Sequence, residues 1–143
     1  MSGLTLEQAS NIVDAALSAG RAASLAPLTV AVLDDGGHLK AFKKEDGSSV
    51  MRYEIAVGKA WGAIGFGKPS RVLAGIAEER PAFMNAIVAA SGGRLIPVPG
   101  GVLIRDAAGD VIGSVGVTGD TSDNDEVAAI AGIEAAGLSA QAG

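Results

Sequence analysis

The 143-residue chain contains no cysteine, which excludes disulfide bonds, thiolate metal sites and a thiol nucleophile. Aromatic residues make up only 3% of the chain, too few for a surface on which successive bases could stack. The formal net charge of −5 opposes binding to a phosphate backbone. The shortage of aromatic residues and the negative net charge argue against a nucleic-acid partner.

Long apolar runs are also missing, because none reaches the roughly 18 residues that a membrane-spanning helix needs. Residues 1–5 lack the basic region and following apolar core of a secretory signal. The length is that of one domain, which we expect to span residues 1–143. We therefore expect a cytoplasmic protein with no membrane partner.

Hydrophobic periodicity and turn signals predict ten secondary-structure elements. They are a helix that begins after Thr5 and ends before Pro27, strands at 28–34 and 38–44, helices at 50–66, 70–78 and 81–90, strands at 94–97, 101–105 and 111–118, and a helix from Ser122, with a disordered tail. The order is therefore α-ββ-ααα-βββ-α. Strands and helices that are segregated in this way predict an α+β domain with one sheet and helices on its faces.

Local signals add detail to these elements. Thr5 and Gln8 have the spacing of a capping box. Strand 28–34 is apolar on both faces, and three lysines in strand 38–44 are typical of a sheet edge. The glycines of strand 111–118 indicate that a helix or a ligand lies very near its backbone. The predicted core positions of the second helix are Tyr53, Ala56, Val57, Ala60 and Ile64, and those of the last helix are Val127, Ile130, Ala131 and Leu138. The predicted cap positions are Ser70 and Asp125.

His38 is the single histidine of the chain and follows a tight turn at residues 34–37. It could ligate a metal or haem iron, or act as a general base. The alternative is a surface histidine on a strand edge. Met51, Met84 and Tyr53 are the other side chains that could ligate haem iron, and the alternative for each is a place in the core.

Lys59 lies in an apolar stretch of the second predicted helix. Its helical neighbours, Ile55, Ala56, Gly62 and Ala63, cannot pair with its charge. If the ammonium group lies in a cavity, desolvation lowers its pKa, and it could act in acid/base catalysis, hold an anion or form a Schiff base. The alternative is a lysine that extends to solvent or pairs with an acidic residue of the sheet.

Two further groups of residues could line a ligand site. Asp120, Asp123, Asp125 and Glu126 could face a ligand or a cation, although carboxylates at a helix start more commonly cap its free N–H groups, and we predict no metal site. Bare backbone N–H groups could line a pocket at Gly100, Gly101 and Gly116. No glycine-rich loop has the spacing of a nucleotide-binding motif.

Six stretches, in order along nearly the whole chain, resemble the GlcG/HbpS family, also called the haem-degrading or domain-of-unknown-function 336 group. They are LTLEQA (4–9), VLDDGGHL (32–39), IAVGKA (55–60), VPGGV (98–102), VIGSVGVTG (111–119) and Asp125-Glu126. The resemblance implies a profilin-like fold with a five-stranded antiparallel sheet flanked by helices, assembly into homo-oligomers such as octamers, and haem as a possible cofactor. The chain differs from the family's pattern at one place: it has Lys43-Lys44 where an arginine usually precedes the acidic loop.

Three hypotheses about function follow. The first is an oligomeric protein that binds haem or another small organic ligand in a pocket near Lys59 and His38, with Tyr53, Gly100, Gly101, Gly116, Asp125 and Glu126 as further ligand-binding residues. The second is a cofactor-independent enzyme that acts on a small carbonyl or carboxylate metabolite, with Lys59 and His38 as catalytic groups. The third is an assembly scaffold without a ligand.

Overall fold

A five-stranded antiparallel sheet with the strand order β2-β1-β4-β3-β5 lies at the centre of the protein. The computed structural model describes residues 3–143; residues 1 and 2, part of the segment used above against a secretory signal, lie outside the described residues. The elements are α1 (Leu6–Ala22), β1 (Thr29–Asp34), β2 (Leu39–Lys44), α2 (Arg52–Phe66), α3 (Ser70–Glu79), α4 (Pro81–Ala90), β3 (Gly101–Arg105), β4 (Val111–Thr118), α5 (Ser122–Ala135) and β5 (Ser139–Gln141).

Helices cover both faces of the sheet. On one face, the branched side chains of β1, β3 and β4 form the main core with α1 and α5. α2 packs on the other face, where Gly101 and Gly116 let its backbone approach the strands. A smaller apolar cluster around Leu73, Met84 and Leu95 joins α3 and α4 to α2. Met84 is therefore a core residue and not a surface ligand.

The predicted α+β fold, with a five-stranded antiparallel sheet flanked by helices, is confirmed. The capping box is present, because Thr5 Oγ1 accepts from the Gln8 N–H and Gln8 Oε1 accepts from the Thr5 N–H, both at 3.0 Å. β1 is buried on both faces and β2 lies at an edge of the sheet, as the sequence predicts. No helix among residues 3–143 is both long and apolar enough to cross a membrane.

The fifth strand is not where the sequence places it. Residues 94–97 form an irregular segment, and β5 lies in the tail that was predicted to be disordered. β5 pairs with β3, and the Arg105 Nε–H donates to Gln141 Oε1 at 2.8 Å. Three residues without an apolar run give no local strand signal, so this pairing depends on the exposed edge of β3.

The predicted core face of α5 is wrong at Val127, which is 64% exposed. Apart from Asp125, the buried face consists of small residues and one isoleucine: Ala128, Ala129, Gly132 and Ile133. A Cβ on Gly132 would lie 2.6 Å from the Ile12 carbonyl oxygen, so α1 and α5 are too close for large side chains. Tyr53, predicted as core in α2, is likewise exposed.

Two predicted helix caps are also corrected. Thr121 caps α5, with its Oγ1 accepting from the Asn124 N–H at 3.2 Å, and Asp125 is buried instead of closing a capping box. Ser70 is the first residue of α3, and its hydroxyl accepts from the Gly101 N–H at 2.7 Å. The side chains of both residues form contacts with other secondary-structure elements. The sequence pattern at the start of a helix does not reveal such contacts.

Candidate functional site

Lys59 is the largest fully buried side chain outside the apolar core, with 2% of its surface exposed. From α2 it reaches past the end of the sheet, where its ammonium donates to the Val117 carbonyl oxygen at 2.9 Å and to Asp125 Oδ2 at 3.2 Å. Asp125 lies in the first turn of α5, so the ion pair joins the helices on the two faces of the sheet. The acidic partner of Lys59 therefore comes from another helix and not from the sheet.

Asp125 is held by its second oxygen as well. Oδ1 accepts from the Asp120 N–H at 2.9 Å, and the carboxylate of Asp120 accepts in turn from the Ala26 N–H at 2.9 Å. The loop between β4 and α5 is thereby tied to the segment that precedes β1. This network places the buried ion pair within a chain of satisfied hydrogen bonds, as buried polar groups require.

Burial changes the pKa of both partners. Desolvation lowers the pKa of the Lys59 ammonium, and the attraction of Asp125 opposes this shift. Desolvation likewise raises the pKa of the Asp125 carboxyl, against the attraction of Lys59. Each partner therefore reduces the desolvation penalty of the other, and loss of either leaves the other charge without compensation.

Asp120 provides a test of this network through pH. Hydrogen bonds from the Ala26 N–H, the Asn124 side chain and the Thr121 N–H lower its pKa from 3.8 to about 2. Because the folded pKa lies below the unfolded value, the stabilisation is fully present above pH 3.8 and is lost as the pH falls towards 2. We expect urea unfolding between pH 2 and 6 to show that wild type exceeds Asp120→Asn in stability by an amount that shrinks below pH 3.8. A difference that is independent of pH would contradict the assignment.

The glycines that were predicted to line a pocket lie against α2. A Cβ on Gly101 would lie 2.2 Å from the Lys59 carbonyl oxygen, and one on Gly116 would lie 1.9 Å from the Ala56 carbonyl oxygen. At Gly100, which has a φ of +121°, a Cβ would lie 2.8 Å from Lys59 Nζ. The glycines therefore leave space for the helix and for the lysine side chain. The sequence predicted that a helix or a ligand lies near the backbone of this strand, and at Gly116 the near neighbour is the helix.

His38 lies at the other end of β1 from the Lys59 ammonium. Asp34 organises the turn, because its Oδ1 accepts from the N–H groups of Gly36 and His38 at 3.0 Å, and His38 Nδ1 lies 3.3 Å from the same oxygen. Val30, which pairs with Val117, is four residues from Asp34, a separation of about 13 Å along a strand. The structure therefore does not bring His38 and Lys59 into one pocket.

The acidic residues at the start of α5 separate into two groups. Asp120 and Asp125 belong to the Lys59 network, whereas Asp123 and Glu126 pair with Arg71 of α3. The Arg71 Nε–H donates to Glu126 Oε2 at 2.9 Å. Within residues 3–143, no group of three or more histidine, aspartate or glutamate side chains is arranged to hold a metal ion.

A mostly apolar groove of about 410 Å³ lies beside the first turns of α2 and contains Tyr53. We name it the Tyr53 groove; its lining residues are Met51, Tyr53, Glu54, Ile55, Val57, Gly58, Gly92, Gly93, Arg94 and Ile96. Met51 is 65% and Tyr53 43% exposed, and the Tyr53 ring packs edge-on against Phe42 with 5.2 Å between ring centres. Its volume lies within the 300–1,000 Å³ range of small-molecule sites.

Arg94 is one of the groove residues that sequence reasoning missed. Its guanidinium group lies 3.9 Å from the centre of the Trp61 ring. The two residues are distant in sequence, but the consecutive glycines at 92 and 93 and the glycine at 58 were available signals of a chain segment lying close on a helix. A Cβ on Gly58 would indeed lie 2.8 Å from the Arg94 carbonyl oxygen.

The fold and the groove define a helix-covered, five-stranded α+β protein with an apolar surface site. The family model described as haem degrading protein HbpS-like matches residues 4–134, and the chain belongs to this family. No curated protein matches the chain at a significant level of sequence similarity.

Solved structures share the fold. The crystal structure of HbpS is 28% identical, with a TM-score of 0.78, and the match covers 92% of this chain and 89% of that one. PduOC in complex with haem is 19% identical, with a TM-score of 0.87 and coverage of 98% and 99%. Protein ORFY of Klebsiella pneumoniae is 22% identical, with a TM-score of 0.85 and coverage of 96% and 92%.

Proposed function

We propose that the protein binds haem, or a small organic ligand of similar shape, in the Tyr53 groove. Membership of the HbpS-like family and the fold shared with PduOC, which has been solved with haem, support this class of ligand. The observation that carries the proposal is the groove itself, an apolar site of about 410 Å³ that exposes two large apolar side chains, Met51 and Tyr53. Exposed apolar side chains that share one groove are typical of a binding site.

The residues of the groove fit haem chemically. The macrocycle of haem binds through apolar contacts, and the haem iron takes an axial ligand from a side chain such as tyrosine or methionine. Tyr53 is the better placed ligand, because its ring is held against Phe42, whereas Met51 precedes α2 and is more exposed. The haem would supply the iron chemistry, and the protein would supply Tyr53 and the apolar walls.

Titration of the purified protein with haemin tests the proposal. We expect a shifted Soret band and quenching of the single tryptophan, Trp61, whose ring lies 3.9 Å from the guanidinium group of Arg94, a residue that lines the groove. Tyr53→Phe should move the Soret band while keeping much of the affinity, since it removes the hydroxyl and retains the ring. Met51→Leu should leave the band in place.

The matched control is His38→Ala, because His38 lies on the turn after β1 and does not line the groove. We expect its Soret band and affinity to equal those of wild type. If His38→Ala abolishes the shift and Tyr53→Phe does not, the iron lies at the histidine and the assignment to the groove is wrong. Absence of any spectral change with wild type would remove haem as the ligand.

The other hypotheses stay predictions. Lys59 as a catalytic group would require access to a substrate, whereas its ammonium is buried and bonded to Asp125 and Val117. Assembly into a homo-oligomer, a role as a scaffold and a cytoplasmic location stay predictions made from the sequence and the resemblance.

A further inference from the structure

Arg94 lines the Tyr53 groove, and two contacts hold its side chain in place. Its guanidinium group stacks on the Trp61 ring at 3.9 Å, and its Nε–H donates to the Ser91 carbonyl oxygen at 3.0 Å. Stacking and a hydrogen bond together fix a side chain that would otherwise have many rotamers. Less conformational entropy is then lost when a ligand binds to it.

The backbone that carries Arg94 is fixed as well. Gly92 and Gly93 adopt left-handed φ values of +71° and +81°, which end α4 and turn the chain back towards α2. The Ile96 N–H donates to the Gly58 carbonyl oxygen at 3.2 Å, and Gly58 has no side chain to hold this segment away. The position of Arg94 is therefore set before any ligand arrives.

The outer edge of the guanidinium group has no protein partner among residues 3–143. Its hydrogen bonding within that range ends with Ser91, and none of the ion pairs of the described residues includes it. Arg21 and Arg71, by contrast, pair with Glu45 and Glu126. A planar fork of N–H donors that is stacked on one face and unpaired on its edge suits a carboxylate.

Glu54 gives the groove a polarity. It lines the groove seven residues before Trp61 on α2, which places it about 10 Å along the helix from the ring beneath Arg94. A carboxylate near Glu54 would be repelled, whereas one near Arg94 would be attracted. The groove therefore has an apolar centre, a cationic end and an anionic end.

We propose that Arg94 selects ligands that carry a carboxylate at one edge of an apolar ring system, and that it orients this edge towards Trp61 and away from Glu54. The proposal rests on the proposed function and deepens it, because it names the ligand group that the groove recognises. Haem meets the requirement, since both of its propionates lie on one edge of the macrocycle.

Competition between haemin and its dimethyl ester tests the proposal, because the ester keeps the ring and the iron but lacks both carboxylates. By Soret titration, we expect wild type to bind haemin about tenfold more tightly than the ester, the size of one charge-assisted pair. Arg94→Ala should bind the two compounds equally, with the affinity for the ester unchanged. Arg94→Lys, which keeps the charge but not the planar fork, should show an intermediate preference.

Arg80→Ala is the matched control, because Arg80 also stacks on a ring, that of Phe83 at 4.1 Å, but does not line the groove. It should keep the wild-type preference, and thermal unfolding should show that all variants fold. Equal binding of haemin and the ester by wild type, or an undiminished preference in folded Arg94→Ala, would overturn the role of Arg94 and leave haem binding intact. Failure of both compounds to bind wild type would overturn the role of Arg94 and the proposed function together.

Discussion

Asp125→Asn is expected to lower the free energy of unfolding by about 3–5 kcal/mol, as measured by urea denaturation at pH 7. The substitution keeps the shape of the side chain and an oxygen for the Asp120 N–H. It removes the negative charge that lies 3.2 Å from the Lys59 ammonium. Lys59 is 2% exposed, so the lysine must then remain as an uncompensated buried charge or lose its proton.

Asp14→Asn is the control for this substitution. The pair between Asp14 and Lys43 is shorter, at 2.8 Å, but both side chains are about 60% exposed. Water screens this pair, and we expect a change of less than about 1 kcal/mol. The double variant Lys59→Met/Asp125→Leu should recover much of the stability that Asp125→Asn loses. A loss for Asp125→Asn no larger than that for Asp14→Asn would show that the buried pair contributes little.

Gly116→Ala is expected to destabilise the protein by about 3 kcal/mol or more, because the new methyl group has no space. It would lie 1.9 Å from the carbonyl oxygen of Ala56 and 3.0 Å from the Ala60 nitrogen, both in the backbone of α2. Neither atom can rotate away as a side chain can, so α2 must shift from the sheet. The midpoint of thermal unfolding gives the simplest measurement.

Gly75→Ala is the matched control for the same chemical change. Gly75 lies within α3, is exposed, and has no atom within 4 Å of a built Cβ. Alanine is favoured over glycine there by about 1 kcal/mol, so this variant should be slightly more stable than wild type. Similar effects at positions 75 and 116 would contradict the close packing of α2 on β4.

The fold could be predicted where the signal is local. The capping box at Thr5 and the turn after Asp34 are each formed by residues that lie within a few positions of one another. The lysines of β2 likewise indicate an edge strand from that strand's own sequence. β5 could not be predicted in this way, because three residues become a strand only through pairing with β3. The buried face of α5 was missed for a related reason, since the close approach of α1 selects small residues over large ones.

Two structural features around Lys59 could be predicted from the sequence. The apolar surroundings of Lys59 correctly indicated an unusual lysine, and the glycines of β4 correctly indicated a close approach. Periodicity could not reveal that Asp125, 66 residues further along, lies within hydrogen-bond distance of its ammonium. The glycines at 58, 92 and 93 indicate a close approach of two segments, but they do not reveal that Arg94 stacks on Trp61, because this contact depends on how the chain turns after α4.

The measurement that tests the central claim most directly is the position of iron in crystals grown with haemin, located by anomalous scattering. We predict one iron in the Tyr53 groove beside the Tyr53 hydroxyl, with the propionate edge of the haem towards Arg94. Iron beside His38, or anywhere outside the groove, would contradict the account.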